Sequence, residues 1–541
     1  MGCMSMPRRG GRSVRASAAA LIVGVAALIT VTACTSPGST AAAPPSSGGV
    51  PPSASATGGA PDTGPIVPVD STLRWHSCGG LIAQMGIHDC TTLSVPVNYA
   101  DPAGRHISLA LDMVPATAPV SQQQGILLVN PGGPGGSGLS LAAEVAQGLS
   151  PNVAQDYDIV GFDPRGVGAS VPELSCDPGF FSGPRPNYIP ASAAAEQVMI
   201  TRAKTYADDC EQKFGWLLPY MTTENVARDL DSIRAAFGVA KINYLAFSYG
   251  TYIGQVYATL FGSRLRRMVL DSTVDPTGVW YTDNVDQDYA FQGRMNAFYA
   301  WVAQYDSTYN LGSTAAQVRA SYYRARNQLQ AHPVNGTIGA DELDDTYLLG
   351  GYDDQLWPGL AQALSSYLNS GSTTALIGQY QSYGTQNENE FAVYNAVECA
   401  DVGWPRSFAY WTSDTEMVYK TAPFYAWGNA WFNASCAFWP VHGPAEPLPI
   451  KGAGLPGILM LQGTLDPATP YAGAQDAHRL LPSARMVVVE GGGNHGQSFE
   501  QPPDACVQNY LNAYLATGSL PHGAGLVNAT CPAVANPTPG S

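Results

Sequence analysis

The sequence predicts an α/β protein: a mostly parallel sheet flanked by helices on both faces and interrupted by a large, mainly helical insertion. Three observations predict it. Short apolar runs recur, each followed by a turn and then a helical pattern, as buried parallel strands joined by crossover helices require. Two of the runs, 125–130 (GILLVN) and 457–463 (GILMLQG), are apolar almost without alternation, so both faces of those strands should be covered. The rhythm fails over 276–449, a stretch rich in Trp and Tyr and helical in parts, which reads as an inserted second domain or cap.

The chain begins with an address. Arg8, Arg9, Arg12 and Arg15 precede an apolar stretch of 14 residues, 18–31 (AAALIVGVAALITV). That length suits the core of a signal peptide and falls short of the roughly 20 residues a bilayer-spanning helix needs. The stretch ends in Val31-Thr32-Ala33-Cys34, which resembles a bacterial lipobox, where the cysteine is acylated and becomes the new N-terminus. Residues 1–33 are therefore expected to be a lipoprotein signal peptide and Cys34 its lipidation site. The body would then be exported, held on the outer face of a bacterial membrane or secreted. Myristoylation of Gly2 is set aside, because Met6 stands where that motif wants Ser or Thr. Residues 34–72, dominated by Ser, Pro, Gly, Ala and Thr, cannot bury enough surface to offset their ordering entropy and read as a tether.

The body follows in three stretches: 73–275, the insertion 276–449, and 450–535. Its strand-like runs after 125–130 are 157–163 (YDIVGFD), 242–246 (INYLA), 267–271 (RMVLD), 457–463 and 486–490 (MVVVE). Between the first and second of these, Thr222 or Thr223 can cap a helix in which Val226, Leu230, Ile233 and Phe237 recur at helical spacing, with Gly238 as its stop signal.

Composition excludes several functions. Charged residues make up only 13% and the formal net charge is −16, so a phosphate backbone would find few clustered cations; nucleic-acid binding is not expected. Removing residues 1–33 takes four arginines and no acid, which leaves −20. Of ten cysteines, Cys3 leaves with the signal and Cys34 carries lipid. The remaining eight fall into sequential couples, and neighbour pairing (Cys78–Cys90, Cys176–Cys210, Cys399–Cys436, Cys506–Cys531) is expected in an exported chain, because short loops close most easily. No CxxC and no cysteine–histidine cluster suggests a metal, and none is expected.

Chemistry gathers at the ends of the strand-like runs. Ser248 stands in Ala246-Phe247-Ser248-Tyr249-Gly250, between an apolar run and a helical pattern. A nucleophile elbow of G-x-S-x-G type needs small residues two positions to either side of the serine, because the chain turns sharply there. Alanine replaces the first glycine here. Upstream, Asn130-Pro131-Gly132-Gly133-Pro134-Gly135-Gly136-Ser137-Gly138 directly follows a strand-like run, where backbone N–H groups can be aimed at a developing oxyanion. A phosphate-binding reading is disfavoured, since the Gly-Lys-Ser/Thr ending is missing. Downstream, Asp466 (GTLDPATP, 463–470) and His495 (GGGNHG, 491–496) each lie in a turn after such a run. The order Ser…Asp…His matches the α/β-hydrolase fold and no other familiar serine-hydrolase order. Asp271, at an earlier run's end, remains a rival for Asp466. His478, beside Arg479 in a helical stretch, is expected to be solvated.

With these motifs the chain resembles the α/β-hydrolase serine peptidases of the proline iminopeptidase and tripeptidyl aminopeptidase group. The likeness also takes in GFDPRGVGAS (161–170) and TTENVARDLDSIRAAFG (222–238), and so spans nearly the whole body. It implies Ser248 as nucleophile, Asp466 and His495 as its partners, and the Gly133 and Tyr249 N–H groups as oxyanion donors. It further implies release of short peptides, possibly tripeptides, from free N-termini by an acyl-enzyme route, with a cap supplying acids for the ammonium group. Glu398 and Asp401 are the candidates for that task. A carboxylesterase or lipase with the same triad and an inactive surface lipoprotein are the alternatives. No cofactor is implied, the partners are peptides and, through the lipid, a membrane, and a monomer is favoured. Trp404, Trp411, Trp427 and Trp431 could line an apolar pocket or pack as core.

Overall fold

The computed structural model describes residues 73–540, apart from His88 and Pro184. The signal peptide, Cys34 and the tether lie outside the described residues.

The sheet has ten strands: β1 His76–Ser77, β2 Asp89–Pro96, β3 His106–Val114, β4 Gly125–Asn130, β5 Tyr157–Phe162, β6 Ile242–Ser248, β7 Leu265–Thr273, β8 Ile458–Gly463, β9 Ala484–Glu490 and β10 Ala529–Pro532. They lie in the order β1-β2-β3-β5-β4-β6-β7-β8-β9-β10. The first three are antiparallel to their neighbours, and everything from β5 to β10 is parallel.

The continuous apolar runs are explained by burial on both faces. Successive residues of each central strand feed opposite cores. Leu128, Tyr244, Leu270 and Met460 enter one, while Leu127, Leu245, Val269 and Leu459 enter the other. The helix Thr223–Ala236 starts where expected, with the Thr222 hydroxyl accepting from the Asn225 N–H at 3.3 Å and with Val226, Leu230 and Ile233 buried.

Between β7 and β8 the described chain is helical and falls into two parts. The helices Tyr281–Gln304, Ala315–Ala331, Ala340–Tyr352 and Trp357–Ser370 enclose a core of their own around Phe298, Trp301, Tyr322 and Trp357. The helices Glu388–Asp401 and Phe408–Tyr419 instead feed Phe391, Val397 and Trp411 into the core of the sheet. Four disulfides join Cys78–Cys90, Cys176–Cys210, Cys399–Cys436 and Cys506–Cys531, each cysteine to its sequence neighbour. Among the described residues no helix is long and apolar enough to cross a membrane.

Candidate active site

The loops that leave the parallel strands meet at one cavity of about 280 Å³, which the insertion roofs. Pro131, Gly132, Gly133, Pro134 and Gly136 after β4, Ser248 and Tyr249 at the end of β6, Ala468–Pro470 after β8 and His495 after β9 all line it.

Ser248 ends β6 with φ 54° and ψ −130°, a left-handed excursion that lifts its hydroxyl out of the sheet and into the turn. The surroundings hold that strain. The Thr251 hydroxyl donates to the Ser248 carbonyl at 2.6 Å, and the Tyr244 hydroxyl donates to the Gly250 carbonyl at 2.9 Å. A Cβ on Gly250 would lie 2.7 Å from Asn130 Oδ1 and 2.9 Å from the Ala246 methyl. The alanine that departs from the usual motif is therefore accommodated only because position 250 is glycine. Tyr249 opens the following helix, so its N–H is one of the first-turn donors that no intrahelical carbonyl can take.

Gly132 brings the β4 loop against this elbow. Its φ is 102°, and a Cβ there would fall 2.9 Å from Ser248 Cβ and 3.0 Å from the Tyr249 nitrogen. Asn130 Oδ1 accepts the Gly132 N–H at 3.0 Å. At the far end of the loop, Asp163 accepts from the Ser137 hydroxyl at 2.6 Å and the Gly138 N–H at 3.1 Å. Asp163 belongs to the GFDPRGVGAS stretch. Two residues on, buried Arg165 grips Asp229 through paired bonds of 2.8 Å, linking that stretch to the Thr223–Ala236 helix. Both stretches stand out in the sequence as motifs, but nothing in them shows that they support the loop and the elbow.

The rivalry between Asp466 and Asp271 resolves clearly. His495 Nδ1 lies 3.0 Å from both carboxylate oxygens of Asp466. Asp466 in turn accepts from the Ala468 and Thr469 N–H groups at 3.0 and 3.1 Å and from the Thr469 hydroxyl at 3.1 Å. Asp271 faces the backbone beyond the histidine, accepting the Gln497 and Ser498 N–H groups, each at 2.8 Å. Burial pushes its carboxyl up to about 6 against the pull of those bonds. Beside it, the Ser272 hydroxyl accepts the Gly496 N–H at 2.7 Å. Strand β7 thus anchors the loop that β9 supplies. His478 is not solvated as expected. It is buried, its ring bonded to the Ala484 carbonyl at 3.0 Å, and desolvation lowers its pKa.

The cavity's lining is acidic. From the insertion Asp283, Asp286, Asp345, Glu390 and Glu398 line it, from the sheet's own connections Asp275 and Asp476 do, and among the described residues no lysine or arginine does. Three of the lining residues, Glu390, Tyr394 and Glu398, share one face of the Glu388–Asp401 helix at four-residue spacing. Glu390 sits against the oxyanion-type loop: a Cβ on Gly135 would lie 2.6 Å from its carbonyl oxygen. Burial pushes the Glu390 carboxyl up to about 7. Glu398, at the other end of the face, accepts from Asn284 Nδ2 at 3.2 Å. Burial drives Glu398 and the neighbouring Asp283 well above the usual carboxylate range, and the nearby acids drive them in the same direction.

Asp401 does not join Glu398 in the cavity. Its carboxylate accepts the Thr223 N–H at 2.7 Å and the Thr223 hydroxyl at 2.5 Å, so it caps the Thr223–Ala236 helix. One turn of helix separates the two acids and points them to different neighbours. The acids that do accompany Glu398 are Asp283 and Glu390, which no local motif had marked. Trp404, Trp411, Trp427 and Trp431 also lie off the cavity. Trp404 and Trp411 stack on each other at 5.8 Å in the sheet's core, and Trp427 and Trp431 pack against Met199 and Ala203. Among the described residues no group of three or more His, Cys, Asp and Glu side chains could hold a metal ion.

Residues 125–501 match the family model for the alpha/beta hydrolase fold. The chain belongs to the α/β-hydrolase family. This α/β-hydrolase is 40% identical over 479 residues to a "Tripeptidyl aminopeptidase" of Streptomyces coelicolor, covering 86% of this chain and 87% of that protein. It is 32% identical over 479 residues to "Serine protease Hip1" of Mycobacterium tuberculosis, covering 83% and 89%. It is 33% identical over 492 residues to "Carboxylesterase B" of the same organism, covering 86% and 91%. The family and these relatives make the chain a hydrolytic enzyme.

Proposed function

We propose that this α/β-hydrolase is a serine exopeptidase that releases tripeptides from free peptide N-termini. Ser248 attacks the carbonyl of the third residue while His495 takes its proton, and Asp466 holds the imidazole tautomer and stabilises its charged form. The Gly133 and Tyr249 N–H groups receive the oxyanion. His495 then protonates the departing amine, and water clears the acyl-enzyme by the same route.

The observation that carries the reading is the cavity lining, in which seven carboxylates and no lysine or arginine appear among the described residues; Asp345 and Asp476 are paired with Arg185 and Arg479 behind it, and the other five suit a substrate bearing an ammonium group. Its dimensions support the number three. From Glu390, beside the oxyanion-type loop, to Glu398 the helix climbs eight residues, about 12 Å at about 1.5 Å each. An extended tripeptide covers roughly 10 Å from its amine to its third carbonyl, and one hydrogen bond of about 3 Å completes the distance. Glu398, with Asp283 close by, is the acceptor for the ammonium. The relative named tripeptidyl aminopeptidase supports the same reading.

Mass spectrometry of products from a ladder of unblocked and N-acetylated peptides tests it. Tripeptides should appear from the unblocked ladder alone. Single residues or dipeptides, or equal cleavage of acetylated peptides, would overturn the length or the exopeptidase reading. Turnover confined to N-blocked esters would favour the esterase that one relative's name suggests.

Export with a lipid on Cys34 is part of the same proposal. The lipobox-like sequence supports it, and four disulfides suit an oxidising compartment. Incorporation of a fatty-acid analogue, lost in Cys34→Ala, tests it.

A further inference from the structure

The loop that carries His495 is held from two sides. From the sheet, β7 takes the N–H groups of Gly496, Gln497 and Ser498 through Ser272 and Asp271. From the insertion, the turn after the Ala340–Tyr352 helix takes the other half. The His495 N–H donates to the Tyr352 carbonyl at 2.8 Å, and the Tyr352 ring stands edge-on to the imidazole with centroids 5.4 Å apart. Asn494 Oδ1 accepts the Asp354 N–H at 3.0 Å, and Asn494 Nδ2 reaches Asp354 Oδ1 at 3.4 Å. Beneath this turn lies Arg294, almost fully buried, with its guanidinium 5.0 Å from the centroid of the Trp357 ring. It reaches the Gly351 carbonyl at 3.4 Å, Asn494 Oδ1 at 3.5 Å and Asp354 Oδ2 at 3.8 Å. Gly493 lies against it so closely that a Cβ there would be 2.0 Å from Arg294 Nη1.

A buried cation with a carboxylate beside it is costly to assemble and breaks expensively if one partner is removed. Here the pair does not face the substrate. It touches the two residues that precede the histidine, Gly493 and Asn494, whereas the sheet's own anchors take the three that follow it.

We propose that Arg294 and Asp354 are positioning residues for His495, so that the insertion sets the base as well as roofing the cavity. This rests on the reading of His495 as the base of Ser248. Asp466 fixes the rotation of the ring, but it cannot fix where the ring's backbone stands. That position is shared between β7 and the insertion. Loosening the insertion's hold lets the imidazole drift from the hydroxyl while leaving the acidic wall where the peptide binds. The expected signature is a loss in kcat with little change in KM, for blocked esters and unblocked peptides alike. A displacement near 1 Å at a reacting group costs on the order of 100-fold.

The test uses the full chain with Asp354→Ala, Asp354→Asn and Arg294→Lys. Asp354→Ala should lower kcat by about 10- to 100-fold with KM changed less than about threefold. Labelling of Ser248 by a fluorophosphonate should slow by the same factor, because it uses the same base. Asp354→Asn, whose amide oxygen can still accept from Asn494 but which leaves Arg294 without its carboxylate, should recover only part of the loss. Arg294→Lys keeps the charge but not the fork and should fall between. Thermal unfolding is followed beside each variant. An unfolding temperature that drops while kcat and labelling rate stay at the parent's values would overturn the proposal in favour of a structural role. A rise in KM alone would overturn it in favour of substrate binding. Labelling that persists in Ser248→Ala would instead sink the assignment of the nucleophile, a separate failure.

Discussion

The two walls of the cavity are built by different rules. On the sheet's wall every reactive group stands in a turn immediately after a parallel strand, and the backbone dictates which neighbours it can have. Ser248 needs φ 54°, and glycine at position 250 is required because Asn130 and Ala246 crowd it. On the insertion's wall the groups occupy ordinary helical positions, as in Glu390, Tyr394 and Glu398, or come from separate helices, as with Asp283 and Tyr352. A helix accepts almost any side chain on a given face, so nothing local announces which residue faces a substrate. Chemistry is written in constrained turns and recognition in unconstrained faces.

The sharpest break between the walls is expected from substitutions on the sheet side. Ser248→Ala should abolish fluorophosphonate labelling. Asp466→Asn should lower kcat by about four orders of magnitude, since the imidazole would be held in the wrong tautomer. Neither should alter the affinity for a tripeptide product measured by calorimetry by more than a few-fold. A large loss of product affinity would show that the two walls do not divide the labour in this way.

On the insertion side, Glu398→Gln should raise KM for unblocked peptides by roughly 10- to 100-fold, the worth of a charged hydrogen bond out of water. An N-blocked ester should be spared. Equal losses on both substrates would make Glu398 a structural acid and move the ammonium site to Asp283.

That difference explains what was legible in the sequence. The parallel strands, the elbow, the Asn130–Gly138 loop and the Asp466 and His495 turns could be read because each demands glycine, alanine or a fixed order along the chain. Glu398 is reachable through a family resemblance, whereas its expected companion, Asp401, lies off the cavity. Asp401, three residues on, lies on the side of the helix that meets Thr223. The anchoring role of Asp271 was hidden for another reason. A carboxylate at a strand end looks the same in sequence whether it faces an imidazole ring or the backbone beside it.

Protonation sharpens the comparison further. Burial raises Glu390 to about 7 and holds Glu398 and Asp283 well above the usual range, so a cation can bind fully only as they lose protons. KM for unblocked peptides should therefore fall as pH rises from about 5 towards 7.5. It should rise again near the α-amino pKa of about 8, where the substrate loses its charge. An N-blocked ester should show neither limb in KM, and steady-state kinetics across pH on the two substrates decides it. A parallel KM profile for both would trace the effect to the sheet's wall instead.

The smallest expected effect separates two acids on one helix. Asp401 caps the Thr223–Ala236 helix, so Asp401→Ala should cost about 1–2 kcal/mol of stability and a few degrees of unfolding temperature. KM for unblocked peptides should stay within about twofold of the parent's, in contrast to Glu398→Gln. Burial raises the Asp401 carboxyl from 3.8 to about 7, so the folded chain binds a proton there that the unfolded chain has released. Its contribution is greatest at acid pH and is lost as pH rises through about 7. Asp401→Asn should flatten that part of the stability profile between pH 4 and 7, measured by denaturant titration. An unchanged decline in the variant would mean that the carboxylate is ionised throughout this range, held by the Thr223 donors more strongly than burial opposes it.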